Sequence, residues 1–423
     1  MHAGDGDLGD NGMSGILNGM RVVEGSAFVA VPLAGMTLAQ MGAEVIRFDR
    51  LQGGLDAGRW PLAPNGQSLF WDGMNKGKKS IAIDMKDPRG KELITQIITA
   101  PGEDAGLFLT NLRVRGWMDH ETLSQHRPDL VSVTLSGDRH GHPQVDYTVN
   151  PALGIPDITG PEGSSDPTAN ALPAWDLIAG NMCVSALLAA ERHRLRYGTG
   201  QAVDLNLTDV ASAVIGHLGM IGDATLNAQE RGKSGNALYG AYGQDFLCGD
   251  GRRIMIIGLT DRQWRGIVKA TDSAELVQRL ASDNKVDLND EGARWAMRHQ
   301  ITAVLAPWFQ ERKLSDIAPL FDAVGLTWSE FRTTKRALAE DADLSADNPM
   351  FVEVQQGTSG SYLVPKLPIT FDLCETPNAV KAPQLGEHTE EILGNVVGMS
   401  DLEIAQLFDD GIVATPTFNK RVA

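Results

Sequence analysis

The sequence predicts an α/β protein with a large Rossmann-like parallel sheet and a smaller α+β region. Short apolar runs typical of buried strands recur in the first third of the chain, at residues 20–24, 44–48, 80–83, 106–109 and 130–134. Helical stretches of about ten residues separate these runs, as in consecutive βαβ units. The 423 residues also include 46 glycines, a composition usual for soluble α/β enzymes. Crossovers between such strands are right-handed, so the units form an open sheet with helices on both faces.

The elements of this first part follow one another closely. Pro32 suits the first turn of a helix at 31–41, because proline is favoured at that position. The remaining elements are helices that begin at Pro88 and Asp119, an apolar helix that includes 182–190, a strand at 202–207 and a helix at 210–221.

A second region with its own strands and helices follows, at about residues 238–335. An acidic stretch at 340–349 ends in proline, as linkers often do. The elements predicted here are a strand at 253–257, helices around Asp261, Ala293 and Leu314, a strand-rich stretch at 350–369 and a helix at 390–397.

Composition excludes several classes of partner. The chain has 37 basic and 54 acidic residues, a net charge of −17, which disfavours binding to nucleic acid or an anionic membrane. Its three cysteines, Cys183, Cys248 and Cys374, are far apart, which predicts neither a disulfide framework nor a zinc site and fits a reducing cytoplasm. No apolar run reaches the roughly 18–20 residues that cross a bilayer.

The loops at the carboxyl ends of the predicted strands are locally cationic. Ligands of open α/β sheets bind at this edge, yet these loops contain neither GxGxxG nor a P-loop. Basic residues in them could bind the phosphates of a small polyanion, because charged N–H groups are the preferred donors to phosphate. The alternative is a solvated basic rim. The residues are Arg59, Lys76, Lys78, Lys79, Arg113 and Arg115.

Asp176 stands where a proline-containing loop, residues 172–175, leads into the apolar helix. Its carboxylate suits a helix N-cap, since aspartate accepts hydrogen bonds from free backbone N–H groups. The local sequence favours this cap, and the alternative is a nucleophile in a partly dry pocket. The local sequence leaves both interpretations open.

Four motifs, in this order and spacing, resemble the class III (formyl-CoA-type) CoA-transferase family, which also includes α-methylacyl-CoA racemases. The resemblance spans residues 15–412. The motifs are RVVE at 21–24 with MGAEVI at 41–46, NKGKKSIAID at 75–84, Asp176 with GTGQ at 198–201, and GEHT at 386–389.

This resemblance implies a large domain built from both chain ends, a small central domain, and a homodimer of two interlocked, ring-like protomers. It implies an aspartyl nucleophile at Asp176, and a CoA thioester as substrate without a permanently bound cofactor or metal. The matching CoA-binding positions are Arg47, Lys78, Lys79, Asn111 and Arg115. The predicted domains are a disordered leader at 1–13, the large domain at 14–225, the small domain with its linkers at 226–335, and a return to the large domain at 336–423.

Departures from the family pattern narrow the expected reaction. Racemases carry a histidine where Val145 stands, so racemisation is disfavoured. The tetra-glycine loop of formyl-type transferases is missing between residues 222 and 258. We therefore expect an enzyme that transfers CoA between the two carboxyl groups of one branched unsaturated dicarboxylate.

The alternatives are CoA transfer between two separate dicarboxylic acids and a non-catalytic CoA-binding protein. A dicarboxylate also needs a cation for the carboxylate that is not reacting. The candidates for that cation are Arg47, Arg59 and Arg139.

Overall fold

The structure is a computed structural model that describes residues 15–113 and 115–416. The predicted leader at 1–13 lies outside these residues. The chain forms two compact units. Within the described residues, the first unit comprises 15–113, 115–153, 172–220 and 342–416, and the second comprises 154–171 and 221–341.

The first six strands, all in the first unit, alternate with helices, as the sequence predicts, whereas the later strands Phe351–Gln356 and Gly360–Pro365 form an antiparallel hairpin. In chain order the strands are β1 (Arg21–Gly25), β2 (Glu44–Asp49), β3 (Lys79–Ile83), β4 (Leu107–Thr110), β5 (Val131–Ser136), β6 (Gln201–Asn206), β7 (Tyr242–Leu247), β8 (Arg253–Gly258), β9 (Thr327–Glu330), β10 (Phe351–Gln356), β11 (Gly360–Pro365) and β12 (Val413–Ala414).

Local signals account for several helix boundaries. Asp87 caps α3 by accepting a hydrogen bond from the backbone N–H of Arg89, and Ser400 and Glu403 form a capping box on α17. The helices are α1 (Ala30–Gln40), α2 (Leu69–Met74), α3 (Pro88–Thr99), α4 (His120–His126), α5 (Asp146–Ala152), α6 (Ile155–Ile158), α7 (Ala174–Tyr197), α8 (Leu207–His217), α9 (Met220–Leu226), α10 (Asp261–Ala270), α11 (Ala274–Asn284), α12 (Glu291–Ala296), α13 (Arg298–Gln310), α14 (Leu314–Val324), α15 (Thr334–Glu340), α16 (Thr389–Ile392) and α17 (Asp401–Asp409).

The large sheet has the strand order β12-β3-β2-β1-β4-β5-β6. All neighbouring pairs from β3 to β6 are parallel, for example Val22 opposite Val45 in β1 and β2. This arrangement confirms the predicted α/β class. The direction of winding reverses between β1 and β4, which is where Rossmann-like sheets form their ligand crevice. The edge strand β12 pairs antiparallel with β3 through Val413 and Ala414.

Apolar side chains fill the space between the large sheet and its helices. Phe48 of β2 and Phe108 of β4, the two strands that flank β1, stack at a ring separation of 6.4 Å. One core combines sheet residues with α3 and the C-terminal helices, and its members include Ile46, Ile81, Ile94, Ile98, Ile392 and Leu407.

The second unit has a three-stranded antiparallel sheet in the order β7-β8-β9. Phe246 and Phe309 stack at 4.1 Å in its core, and Phe321 packs edge-on against Phe309. The sequence predicts β8 but not its partners β7 and β9.

A group of buried charged side chains comes from the later residues of β1 and β2, the loop after β2 and the residue before β3. We call Glu24, Arg47, Asp49, Asp56 and Lys78 the charged hub. The Arg47 guanidinium donates to Asp49 at 2.8 Å and to Asp56 at 2.9 Å, and the Lys78 ammonium donates to Glu24 at 2.8 Å. Each member is nearly inaccessible to solvent, so each charge depends on its partners for stability.

Among the described residues, no helix is both long and apolar enough to span a membrane.

Gly35 tests how tightly the charged hub is packed. A Cβ at this position of α1 would lie 1.7 Å from Oε2 of Glu24, and Glu24 is held by Lys78 and Ser26. We expect Gly35→Ala to lower the free energy of unfolding by about 3 kcal/mol, because neither α1 nor the Glu24 carboxylate can move away without breaking buried bonds. Denaturant unfolding measures this change.

The matched control is Gly73→Ala in α2, where an added Cβ meets no atom within 4 Å. Alanine is the better helix former, so this variant should gain up to about 1 kcal/mol. Equal stability of the two variants would contradict the rigid packing of the hub.

Candidate functional site

A cavity of about 660 Å³ lies at the carboxyl ends of β1, β2, β3 and β4. This volume is typical of small-molecule sites, and its position spans the reversal between β1 and β4. Apolar walls come from Phe48, Met85, Leu112 and Trp117, and Ser26 and Ala27 also line the cavity.

Four cationic side chains line this cavity and are exposed to solvent. They are Arg50, Lys86, Arg113 and Arg115. Two acidic residues, Asp49 and Asp84, also line it, but Asp49 is bound to Arg47 and Asp84 accepts from the backbone N–H of Lys86. Within residues 15–113 and 115–416 these four cations form no ion pair, so the cavity offers positive charge beside an apolar wall, a combination that suits a phosphorylated ligand with an aromatic group.

Of the five residues predicted to bind CoA, Arg115 lines the cavity. Arg47 and Lys78 are buried in the charged hub, and their donors are used by protein acceptors: Arg47 also donates to Asn75, and Lys78 to the carbonyl oxygen of Pro32. The structure thus gives these two cations a different place from the one that the family pattern implies. The sequence shows that Arg47 and Lys78 are basic, but it does not show that they are buried.

The other two predicted residues support the backbone near the cavity. Lys79 pairs with Glu44 at 2.6 Å and Glu391 at 2.7 Å, which raises the pKa of its ammonium although partial burial opposes this. Asn111 accepts from the backbone N–H of Ala27 at 2.9 Å and donates to the carbonyl oxygen of Ala27 at 2.8 Å. Asn111 therefore holds the loop between β1 and α1.

Arg50, Lys86 and Trp117 are cavity residues that the sequence analysis does not single out. Arg50 directly follows β2, three positions after Arg47. Neighbouring side chains of a strand lie on opposite faces of the sheet. Arg50 is one residue beyond the end of β2, so this alternation does not fix the direction of its side chain. Its position at the carboxyl end of a predicted strand was the available signal.

Asp176 lies in the first turn of α7 and does not cap it. The residue before the helix is Pro173, which provides no side-chain cap. Within the described part of the chain, the carboxylate of Asp176 accepts no hydrogen bond. The N-cap interpretation of Asp176 is therefore wrong.

Asp146 supplies the missing cap from another segment. Its Oδ2 accepts from the backbone N–H of Trp175 at 2.8 Å and of Asp176 at 3.4 Å. Trp175 is buried and donates its indole N–H to Asn150 at 3.2 Å, so α5 and the start of α7 are joined at two points. This external cap leaves the Asp176 carboxylate free for chemistry.

The surroundings of Asp176 make its negative charge less favourable. Burial raises the pKa of this carboxyl, the charge of Asp146 raises it further, and the charge of Arg59 lowers it, which together leave the pKa at about 6. The group is thus ionised at neutral pH, but it is more basic than an ordinary aspartate. Perturbed carboxyl groups of this kind occur at catalytic sites.

Asp176 is connected to the cavity through the loop between β1 and α1. Gly180 is four residues after Asp176 and therefore on the same side of α7. A Cβ at Gly180 would lie 2.7 Å from the carbonyl oxygen of Ala30, so this face of α7 rests on the start of α1. The same loop contributes Ser26 and Ala27 to the cavity wall.

Phe28, in the middle of this loop, has a φ of +67°. Such a conformation is unfavourable for an aromatic residue and persists where surrounding contacts enforce it. The hydrogen bonds of Asn111 to Ala27 are such contacts. The aromatic ring of Phe28 lies 5.5 Å from the guanidinium carbon of Arg59. The ring of Phe70, a residue of α2, lies 5.3 Å from the same carbon.

Other candidate chemistry finds less support. Within residues 15–113 and 115–416, no group of three or more His, Cys, Asp or Glu side chains could hold a metal ion. His142 pairs with Asp138 on an exposed loop. Cys183 is buried two turns after Asp176, and burial raises the pKa of its thiol to about 12, which suits packing rather than nucleophilic attack. Val145, at the position of the racemase histidine, is exposed.

Comparison with known proteins gives one family over nearly the whole chain. A family model described as CoA-transferase family III matches residues 17–389. The chain is 52% identical over 405 residues to the 2-methylfumaryl-CoA isomerase of Chloroflexus aurantiacus, covering 96% of this chain and 99% of that protein. It is 27% identical over 413 residues to human succinyl-CoA:glutarate CoA-transferase, covering 94% of this chain and 90% of that protein.

The fold is similar to that of a CAIB/BAIF family protein from Brucella suis. The TM-score is 0.74 at 24% sequence identity, and the match covers 90% of this chain and 100% of that chain. This structural likeness shows the shared fold.

The raised pKa of Asp176 predicts a change in stability with pH. The folded protein binds a proton here more tightly than the unfolded chain, whose pKa is near 3.8. Asp176 therefore costs stability increasingly as the pH rises from about 4 to 6. We expect Asp176→Asn to gain up to about 3 kcal/mol in the free energy of unfolding above pH 6 and almost nothing near pH 4.

Denaturant unfolding at a series of pH values measures this gain. The control is Asp283→Asn on the exposed face of α11, which should show no gain that grows across this range. A constant difference between Asp176→Asn and the parent protein at all pH values would contradict the prediction.

Proposed function

The chain belongs to CoA-transferase family III, as its motifs predict, and we propose that it moves CoA between the two carboxyl groups of a single dicarboxylate, converting 2-methylfumaryl-CoA into 3-methylfumaryl-CoA. The observation that carries this proposal is the identity to the Chloroflexus isomerase over almost the full length of both chains. The free carboxylate of Asp176 supports the proposed chemistry.

CoA is the substrate carrier in this proposal and binds in the cavity at the carboxyl ends of the strands. Arg50, Lys86, Arg113 and Arg115 would contact its phosphates, since they are the exposed cations of the cavity. The apolar wall at Trp117 suits the adenine ring. Arg47 and Lys78 would act indirectly, by holding the loops that carry these groups, and Lys79 and Asn111 would do the same.

The reaction begins when an oxygen of Asp176 attacks the thioester carbonyl. The carbon–sulfur bond breaks, CoA leaves as a thiolate, and a mixed anhydride joins Asp176 to the substrate. The thiolate then attacks the aspartyl carbonyl, which releases the free dicarboxylate and leaves CoA as a thioester of Asp176. No proton is gained or lost in these steps, and the barrier is divided between covalent intermediates.

The second half repeats these steps in reverse order with the other carboxylate. That carboxylate attacks the aspartyl thioester and expels the thiolate, and the thiolate attacks the new anhydride at the substrate carbonyl. Asp176 is regenerated and the CoA ester has moved. Because the acid never needs to leave, one pocket that excludes water and outside acids is sufficient.

Each attack produces an oxyanion that requires hydrogen-bond donors. Helix α1 begins at Ala30 without a side-chain cap, and the first N–H groups of a helix have no partner within it. The close approach of Gly180 to Ala30 brings the Asp176 face of α7 to this helix start. We propose the N–H groups of Ala30 and Val31 as the oxyanion donors.

We propose a homodimer as the functional form, following the family pattern. Apolar side chains on and after α8 are strongly exposed, with Leu218 at 71% and Leu226 at 84%. Surfaces of this kind occur at protein interfaces. We also propose a cytoplasmic location, with Cys183, Cys248 and Cys374 all free, as expected in a reducing compartment.

A covalent CoA ester of Asp176 is the decisive test of the mechanism. We expect hydroxylamine to trap this thioester during turnover as a hydroxamate on Asp176, located by peptide mass spectrometry. Asp176→Asn should reduce kcat by at least about 10⁴-fold while the protein remains folded, because the nucleophile is lost. Unchanged turnover of this variant would support a non-catalytic role of the chain.

Transfer between separate acids is the second candidate, favoured by the 27% identity to a succinyl-CoA:glutarate CoA-transferase. We expect 2-methylfumaryl-CoA alone to react to an equilibrium mixture with its isomer, with little label from free radioactive 2-methylfumarate entering either ester. Rapid incorporation of that label, or dependence of the rate on an added acid, would instead favour transfer between molecules.

A further inference from the structure

Arg59 is a cation whose charge acts on Asp176 and which takes part in no ion pair among the described residues. Across residues 15–113 and 115–416, its guanidinium donates no hydrogen bond and forms no ion pair. Arg47 and Arg139 are the other two candidates for binding the substrate carboxylate that is not reacting. Both already bind protein carboxylates: Arg47 lies in the charged hub, and Arg139 pairs with Asp209 at 2.7 Å. Arginine suits this task, because its planar donors match a carboxylate at two points.

The backbone of Arg59 is fixed on both sides. Its N–H donates to the carbonyl oxygen of Asp56, and the carboxylate of Asp56 is held by Arg47 at 2.9 Å. The carbonyl oxygen of Arg59 accepts from the hydroxyl of Ser68 at 2.5 Å. Ser68 is buried and also caps α2 through the N–H of Trp71, so the charged hub and α2 together determine where Arg59 lies.

The side chain of Arg59 is positioned by two aromatic rings and remains exposed. Phe28 and Phe70 each lie between 5 and 6 Å from its guanidinium carbon. Stacking on rings orients the guanidinium plane and leaves the N–H groups at its edge available. Two rings contact this one guanidinium, whereas exposed Arg196 has a single ring partner, and such a preoriented cation suits an anion site.

The loop between β1 and α1 connects Arg59 with the nucleophile Asp176. Phe28 is two residues before Ala30, and the carbonyl oxygen of Ala30 is in contact with Gly180 on the Asp176 face of α7. The positive charge of Arg59 is also one of the two charges that act on the pKa of Asp176. A substrate carbonyl at Asp176 would therefore have Arg59 within reach of its other end.

We propose that Arg59 binds whichever carboxylate of the dicarboxylate is not joined to CoA or Asp176, and so selects dicarboxylic over monocarboxylic thioesters. This inference rests on the proposed function. Before transfer Arg59 holds the distal carboxylate, and after transfer it holds the carboxylate that has been released. One cation can serve both states because the two ends of the acid exchange roles during the reaction.

The experiment measures affinity in the Asp176→Asn background, where the thioester is not consumed. Calorimetry compares 2-methylfumaryl-CoA with tiglyl-CoA, in which a methyl group replaces the free carboxylate. We expect the dicarboxylic thioester to bind more tightly, and Arg59→Gln to weaken its binding about 10- to 100-fold, as for loss of a charged hydrogen bond. Binding of tiglyl-CoA should not change, and Arg59→Lys should recover part of the loss.

The matched control is Arg196→Gln, another exposed arginine stacked on a ring, at the far end of α7. It should leave both affinities unchanged. Equal weakening of both thioesters by Arg59→Gln, no weakening of either, or no initial preference for the dicarboxylic thioester would each overturn the assignment. Failure of the proposed function is separate, since it would appear as the absence of a trapped Asp176 ester in the parent enzyme.

Discussion

The buried guanidinium of Arg47 is the constraint on which the site depends. Its bonds reach Asp49 at the end of β2, Asp56 in the following loop, and the carbonyl oxygen of Ser26 after β1. Burial of so many charges is costly unless every partner is present. The negative charges around Arg47 raise its pKa although burial opposes this, so the cation persists at any physiological pH. Loss of one partner would leave an uncompensated charge in the interior.

The hub fixes the conformation of two loops. The loop after β1 forms part of the cavity wall, carries Phe28 in an unfavourable conformation, and contacts the helix of Asp176. The loop after β2 carries Arg50 to the cavity and Arg59 to the rings of Phe28 and Phe70. Asp176 and the cavity are thus set by the same few buried bonds, although no direct bond joins them in the described residues. A rigid support of this kind is what precise positioning of reacting groups requires.

Some of this organisation could be predicted from the sequence and some could not. Alternating apolar runs predict the parallel sheet, because a buried strand must be apolar on both faces. The pattern misses β12, since two residues carry no periodicity, and misses α2, a helix of six residues. Lys78 and Arg47 resemble exposed cations because burial of a charge depends on partners distant in sequence. Asp176 resembles a cap for the same reason: its replacement in that role, Asp146, is 30 positions away.

The placement of β12 has a consequence for how the protein is made on the ribosome. Val413 and Ala414 pair with β3, and the backbone N–H of His388 donates to Ser80 on the same strand. The edge of the large sheet at β3 therefore stays unpaired until residues 413 and 414 have been synthesised. Exposed edge strands can pair with strands of other chains. Synthesis of a chain of this length takes on the order of tens of seconds. The growing chain consequently passes through a prolonged stage in which β3 requires protection, and truncation before Val413 would make that stage permanent.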